Sequence, residues 1–130
     1  MNQIKALLFD FDGLILDTET PKYQAWNEIY AENDVALSLQ DWALCLGTSD
    51  RAFDAAAHLE TLTGKTLDRI ALRADFDRRA LSMIEREPPL PGVIALIEHA
   101  RQNNLALGLA SSSPRNWVLD HMQRLMLASR

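Results

Sequence analysis

Residues 4–19 read IKALLFDFDGLILDTE, and this stretch decides the fold that we predict for the chain. The first six residues are mostly apolar, which is typical of a strand buried on both faces of a parallel sheet. Periodicity alone also allows a helix over so short a run. The polar, glycine-containing segment DFDG that follows favours a strand with functional groups at its carboxyl end.

A second stretch of the same kind lies near the other end of the chain. Residues 105–110 are apolar and are followed by three serines and Pro114. Ser113 and Pro114 predict the start of a helix, with serine as the cap and proline in the first helical position. Trp117 and His121 are expected to pack along that last helix.

Helices are predicted for the segment between the two strands. Thr-Pro at residues 20–21 predicts the start of the first helix. A second helix covers part of residues 39–46, Thr48 or Ser49 caps a third, and a fourth opens at Thr66. The segment is therefore a run of four helices with no strand among them.

The clearest boundary in the chain is EREPPLPG at residues 85–92, because three prolines and a glycine cannot continue a helix. An amphipathic helix follows over residues 93–100. The predicted order is a strand, four helices, a link, a helix, a strand and a helix. This order indicates an α/β fold with a parallel sheet. Residues 1–16 and 89–130 would form a partial core, and residues 17–88 an inserted helical cap domain.

The composition is that of a soluble globular protein. Hydrophobic residues make up 48% of the 130 residues and charged residues 24%, which argues against disorder. The net charge of −5 gives no general reason to bind nucleic acid or an anionic membrane. Cys45 is the only cysteine, so an intramolecular disulfide is impossible and a cytoplasmic location is expected.

Asp10 and Asp12 flank one residue at the end of the first predicted strand. Residues i and i+2 of an extended segment point to the same side, so the two carboxylates would lie close together. Such a pair suits a hard cation such as Mg²⁺ or the transfer of an anionic group. Gly13 allows a sharp turn and lets backbone N–H groups approach an anion. Taken alone, the pattern fits a solvated turn without function equally well.

Residues 7–19, LLFDFDGLILDTE, resemble the first signature of the haloacid dehalogenase superfamily, and residues 105–114, LALGLASSSP, resemble the second. The resemblance is closest to the β-phosphoglucomutase-like and phosphoglycolate-phosphatase-like subfamily. It implies a Rossmann-like core with an incomplete parallel sheet and an inserted α-helical cap. It also implies Mg²⁺-dependent hydrolysis of a small phosphorylated metabolite through an aspartyl-phosphate.

The resemblance assigns roles to individual residues. Asp10 would be the nucleophile and Asp12 the general acid/base, and Asp10 and the backbone carbonyl of Asp12 would bind Mg²⁺. Ser111 is expected to bind the phosphoryl group through its hydroxyl, and Ser112 to add a backbone N–H. The alternative is that these serines form a loop and a helix cap, which we favour for Ser113.

Within the predicted cap, LGTSDRAF at residues 46–53 resembles the loop that sets substrate specificity in this subfamily. Arg51 is the expected contact to a distal phosphate or carboxylate, because guanidinium matches such groups bidentately. A solvated arginine at a helix start explains Arg51 nearly as well. Gly47 and Thr48 share the loop, and Glu19 is expected where cap and core meet, within reach of a substrate.

Two further signatures of the family, a lysine and a strand ending in paired acids, are not found after Ser113. We therefore expect a truncated product, a fragment, or a chain that borrows the rest from another chain. Little or no phosphatase activity and self-association through open sheet edges would follow. A sugar-phosphate mutase is the alternative enzyme, although Lys22 stands where such mutases tend to have histidine. An inactive binding module is the alternative outside enzymes.

Overall fold

A computed structural model describes residues 4–44 and 53–128 of the chain. The predicted α/β class and the predicted order of elements are confirmed over these ranges. The elements are β1 (Ala6–Phe9), α1 (Glu19–Ala31), α2 (Leu39–Ala43), α3 (Ala55–Thr63), α4 (Arg69–Ile84), α5 (Val93–Gln102), β2 (Ala106–Leu109) and α6 (Arg115–Arg124).

The chain divides into two compact units. The core unit comprises Met1–Thr18 and Ile84–Arg130, and the helical unit comprises Glu19–Met83. Each unit has its own cluster of buried side chains. That the helical unit acts as a substrate cap stays a prediction.

The two strands of the core unit pair in parallel. Ala6 lies opposite Ala106 and Phe9 opposite Leu109, and the Ala110 N–H extends the pairing by donating to the Phe9 carbonyl at 2.9 Å. Because the strands are parallel, the segments that follow them leave from the same edge of the sheet, where ligands bind in open α/β folds. This register places residues 10–13 next to residues 110–113.

One face of this sheet is covered by the described residues. Phe9 is buried in a cluster with Phe11, Ile97 and Val118, whereas Leu8 is 75% exposed. Successive residues of a strand point to opposite faces, and α5 and α6 supply apolar side chains to the Phe9 face. The prediction that the strand is buried on both faces was therefore wrong.

The helical unit is built around aromatic side chains. Trp26 stacks on Phe76 with ring centroids 4.9 Å apart, and Ile29 and Tyr30 are buried beside them. The Tyr30 hydroxyl donates to the carbonyl of Ala55 at 2.7 Å. Trp26, Ile29 and Tyr30 thus form an apolar stripe of α1 at the centre of this unit.

The first helix begins earlier than the sequence predicts. α1 starts at Glu19, so Thr20 lies inside the helix rather than capping it. Pro21 is accommodated because the first four N–H groups of a helix have no partner within the helix.

Aspartates cap the third and fourth helices. The carboxylate of Asp54 accepts from the N–H of Ala57 at 2.9 Å, so α3 starts after the predicted caps at residues 48–49. The carboxylate of Asp68 accepts from the N–H of Ile70 and of Ala71. The fourth helix therefore starts after Asp68 and not at Thr66 as predicted. In the part of the chain that the structure describes, no helix is long and apolar enough to cross a membrane.

Thr18 carries a buried hydroxyl without a partner. Its side chain is fully buried at the end of the first core segment, and Oγ1 makes no hydrogen bond to the described residues. A buried hydroxyl that lacks a partner costs about 1–3 kcal/mol of folding free energy.

We expect Thr18→Val to raise the free energy of unfolding by about 1 kcal/mol, because valine keeps the shape and removes the unpaired hydroxyl. Denaturant unfolding followed by circular dichroism measures this change. Thr18→Ser is the matched control, since it keeps the hydroxyl and loses the buried methyl group, and it should be less stable than the unaltered protein. A Thr18→Val protein that unfolds at lower denaturant would contradict the prediction.

His121 is a second buried polar residue of the core unit. Its ring lies beside those of Trp117 and Phe11, with centroids 4.3 Å and 6.3 Å away. Burial lowers the pKa of His121, and the positive charge of Arg124 lowers it further, against the opposing effect of Glu85, Asp12 and Asp120. The packing of His121 in the last helix is confirmed.

We expect the core unit to lose stability as the pH falls below the ordinary histidine value of 6.5. The unfolded chain then binds a proton that folded His121 resists, so unfolding is favoured at low pH. Denaturation midpoints at about pH 7.5 and about pH 5.5 measure the effect, which His121→Gln should reduce. His99→Gln, at an exposed position of α5, should leave the pH dependence unchanged, and an equal reduction by both variants would contradict this assignment.

Candidate active site at the carboxyl ends of the strands

The loop after β1 is a tight turn anchored by Phe11, which is fully buried. The Phe11 carbonyl accepts from the N–H of Ile15 at 2.9 Å and of Leu16 at 3.2 Å. Gly13 has a φ of +77°, a conformation that side chains with a Cβ disfavour, and its N–H donates to the Leu16 carbonyl at 2.7 Å. Gly13 therefore makes the turn, and its predicted part in binding phosphate stays a prediction.

Asp10 is the first residue after β1, and its side chain is exposed. Its Oδ1 accepts from the N–H of Phe11 at 2.7 Å. This bond orients the carboxylate while the side chain stays accessible to a ligand. Such an accessible, oriented carboxylate is suited to attack on phosphorus.

Asp12 is held in a different environment. Its side chain is half-buried, and each carboxylate oxygen accepts a hydrogen bond from a distant residue. The Ser113 hydroxyl donates to Oδ2 at 2.5 Å, and the Trp117 indole N–H donates to Oδ1 at 3.1 Å. The two carboxylates of the DFD segment thus differ in exposure and in partners.

The serines after β2 lie where the register places them. Ser111 is exposed, and its Oγ accepts from the N–H of Ser113 at 3.0 Å. A hydroxyl has one proton to donate and two lone pairs, so this bond leaves the donor function of Ser111 for a ligand. Ser112 is exposed as well. The contacts of Ser111 and Ser112 with a phosphoryl group stay predictions.

From the sequence, Ser113 and Trp117 were expected to have other roles. Ser113 was expected to cap α6, but its hydroxyl bonds to Asp12, and Pro114 occupies the N-cap position without a side-chain hydrogen bond. Trp117 was assigned to packing alone, yet a half-buried indole N–H usually finds a partner. No local signal could have found either contact, because they join residues 101 and 105 positions apart.

The structure does not test the substrate contacts predicted for the cap. Glu19 opens α1 in the helical unit and pairs with Lys22 at 3.0 Å. Gly47, Thr48 and Arg51 fall outside the described residues. Their roles stay predictions.

A metal site is not complete in the described residues, which contain no group of three or more His, Cys, Asp or Glu side chains that could hold an ion. Mg²⁺ is commonly bound by one or two carboxylates together with water and phosphate oxygens. The exposed carboxylate of Asp10 fits such a ligand. Ser113 and Trp117 engage the carboxylate of Asp12, so its expected contribution is its backbone carbonyl.

Comparison with known proteins places the chain in a family. A model of haloacid dehalogenase-like hydrolases matches residues 4–128. The chain is 41% identical over 124 residues to "Putative phosphatase YhcW" of Bacillus subtilis, covering 95% of this chain and 56% of that protein. It is 28% identical over 125 residues to the β-phosphoglucomutase of the same organism, covering 85% of this chain and 51% of that one. The chain therefore spans about half the length of these relatives.

The fold is shared with solved structures. A haloacid dehalogenase family hydrolase from Deinococcus radiodurans, crystallised with bound phosphate and sodium, matches with a TM-score of 0.75 at 21% identity, over 97% of this chain and 54% of that one. The haloacid-dehalogenase-like fold expected from the signatures is thereby confirmed. Together with the family match over nearly the whole chain, this shows that the protein belongs to the haloacid dehalogenase-like hydrolases.

Proposed function

We propose that this chain carries the reacting aspartates of a Mg²⁺-dependent phosphatase that acts on a small phosphorylated metabolite through an aspartyl-phosphate. The observation that supports this proposal is the contrast between the two carboxylates. Asp10 is exposed and oriented by one backbone N–H, whereas Asp12 is half-buried and held by two side-chain donors. A pair of carboxylates in unlike environments is suited to unlike roles, nucleophile and acid/base.

In the first step, a carboxylate oxygen of Asp10 bonds to phosphorus as the bond from phosphorus to the substrate's ester oxygen breaks. Asp12 gives its proton to that oxygen, and the alcohol leaves neutral. Ser111 donates its hydroxyl proton to an oxygen of the phosphoryl group in transit. Catalysis here is mostly a matter of positioning and of offsetting charge.

In the second step, water replaces the enzyme at phosphorus. The water oxygen bonds to phosphorus, the bond to Asp10 breaks, and Asp12 accepts the proton that water gives up. When bound by the Asp10 carboxylate and the Asp12 carbonyl, Mg²⁺ would offset the negative charge of the phosphoryl oxygens. Asp10 and Asp12 then return to their starting states.

For the substrate we propose only its chemical class, a small phosphorylated metabolite. The relatives include proteins named for phosphatase and for sugar-phosphate mutase activity. Because the chain carries a net charge of −5, an anionic substrate needs local positive groups, a role that we propose for Arg51. We propose Gly47, Thr48 and Glu19 as further contacts to the substrate. We propose a cytoplasmic site of action, consistent with a single cysteine. The chain spans about half the length of its relatives, and the proposal assigns it the reacting aspartates rather than full turnover.

A mutase is the second candidate, supported by the similarity to the β-phosphoglucomutase. In a mutase the phosphoryl group would return to another hydroxyl of the sugar instead of passing to water. Incubation with a hexose 1-phosphate separates the two, because a phosphatase releases inorganic phosphate and a mutase forms the hexose 6-phosphate. Lys22, paired with Glu19, occupies the position where such mutases tend to have histidine, which favours the phosphatase.

We expect acetyl phosphate with Mg²⁺ to phosphorylate Asp10, because acetate leaves as a stable anion without needing a proton. Intact-protein mass spectrometry should show the mass of one added phosphoryl group, and Asp10→Asn should show none. Asp12→Asn should form the adduct and lose it about 100-fold more slowly, since no base activates water.

Asp34→Asn, an exposed aspartate of the helical unit, is the control and should behave as the unaltered protein. An unaltered protein that never gains the phosphoryl group, or an Asp10→Asn variant that does, would contradict the proposed function.

A further inference from the structure

Ser113 and Trp117, which lie four residues apart, each donate a hydrogen bond to a different carboxyl oxygen of Asp12. We infer that they are positioning residues that determine which oxygen of Asp12 exchanges the proton, with Oδ2 as the exchanging atom. The inference rests on the proposed function of Asp12 as acid/base. It concerns side chains that neither the two family signatures nor the comparisons assign to the reaction.

The indole of Trp117 restricts one oxygen of Asp12. Its Nε1–H can donate a hydrogen bond but can never accept one. The bond of 3.1 Å to Oδ1 therefore requires a lone pair on that oxygen. If Oδ1 carried the acid proton, its remaining lone pair would accept more weakly and the bond to the indole would be weakened. The indole therefore favours the carboxyl form whose proton is on Oδ2.

Ser113 places no such restriction on the other oxygen. A hydroxyl can both donate and accept, so it can rotate to follow the state of its partner. When Oδ2 is ionised, the Ser113 hydroxyl donates to it at 2.5 Å. When Oδ2 is protonated, the same hydroxyl oxygen can accept. Oδ2 can therefore gain and lose a proton without losing its hydrogen bond.

Packing holds both donors where they are. The Trp117 ring meets the buried ring of His121 edge-on at 4.3 Å, and His121 in turn stacks against Phe11 at 6.3 Å. The N–H of Ser113 donates to the hydroxyl oxygen of Ser111 at 3.0 Å. The indole therefore cannot swing away without disturbing the core, and Ser113 is tied to the serine proposed to bind the phosphoryl group.

The positioning of Asp12 should affect the rate at which the aspartyl-phosphate breaks down. As the bond between water oxygen and phosphorus forms and the bond between phosphorus and Asp10 breaks, the water proton passes to Oδ2 of Asp12. Without the indole, the Asp12 carboxyl can rotate and present either oxygen. Formation of the adduct from acetyl phosphate needs no proton from Asp12, because the acetate leaves as an anion. Loss of positioning should therefore slow breakdown and spare formation.

The test follows the adduct in the full chain with Mg²⁺, measuring its rate of formation from acetyl phosphate and its rate of loss after the donor is removed. Trp117→Phe keeps an aromatic ring and removes the N–H, and we expect loss of the adduct to slow about 10-fold with formation unchanged. Trp42→Phe makes the same chemical change in the helical unit and should alter neither rate. Ser113→Ala should slow the loss of the adduct. Ser113→Thr, which keeps the hydroxyl, should lose the adduct at the rate of the unaltered protein.

A second measurement reads the hydrogen bond directly and needs neither metal nor turnover. The indole N–H signals of the tryptophans are recorded by ¹H–¹⁵N NMR and assigned with the Trp→Phe variants. The Trp117 signal should shift strongly in Asp12→Ala and less in Asp12→Asn, since an amide oxygen still accepts but without charge assistance. The Trp26 and Trp42 signals should stay in place in both variants.

The outcomes separate the two proposals. A normal adduct on Asp10 with unchanged loss in Trp117→Phe would overturn the positioning role and leave the proposed function standing. Equal slowing of formation and loss would also overturn it, because it indicates general damage to the core. An unmoved Trp117 signal in Asp12→Ala would remove the hydrogen bond on which the inference depends. Absence of any adduct on the unaltered protein would overturn the proposed function and this inference with it.

Discussion

The parallel register between β1 and β2 is the constraint on which the rest of the candidate site depends. With Phe9 opposite Leu109, the chain leaves both strands at one edge of the sheet, and Asp12 comes within hydrogen-bond distance of a residue 101 positions away. Slippage by one residue would turn every strand side chain to the other face. Phe9 would then leave the buried cluster and Leu8 would enter it. The packing of one sheet face therefore also determines which acidic and hydroxyl groups meet.

That dependence explains what the sequence could and could not predict. The apolar runs, the DFDG segment and the serines after the second run are local features, so the strands and the α/β class followed from them, while the roles of Asp10 and Asp12 stay predictions. The partners of Asp12 did not, because contacts across 101 and 105 residues leave no trace in local spacing. The burial of the strand was misjudged for a related reason, since an apolar run does not reveal what covers it. The capping aspartates of α3 and α4 were missed because several polar residues near each helix start compete for the role.

The two aspartates show how one short segment can hold carboxyl groups for different tasks. Asp10 follows the strand directly and stays exposed, with one hydrogen bond from its neighbour Phe11. Asp12 lies after the buried Phe11, and its carboxylate accepts hydrogen bonds from Ser113 and Trp117 at the start of α6. Phe11 thus separates the two groups: its buried ring anchors the loop while its backbone N–H orients one carboxylate. The division between nucleophile and acid/base in our proposal rests on this difference of surroundings, since the two side chains are chemically identical.

The chemical difference between the donors to Asp12 matters more than their number. Two indoles would hold both oxygens as acceptors and would oppose protonation of the carboxyl group altogether. Two hydroxyls would follow either protonation state at either oxygen and would leave the exchanging atom undefined. The Trp117 indole can only donate, whereas the Ser113 hydroxyl can donate or accept. Together they permit protonation of Asp12 and direct the proton to Oδ2. Because the indole is also the donor packed against His121, which in turn stacks on Phe11, the restriction is imposed by the core, and the adaptable bond is left to the half-buried Ser113.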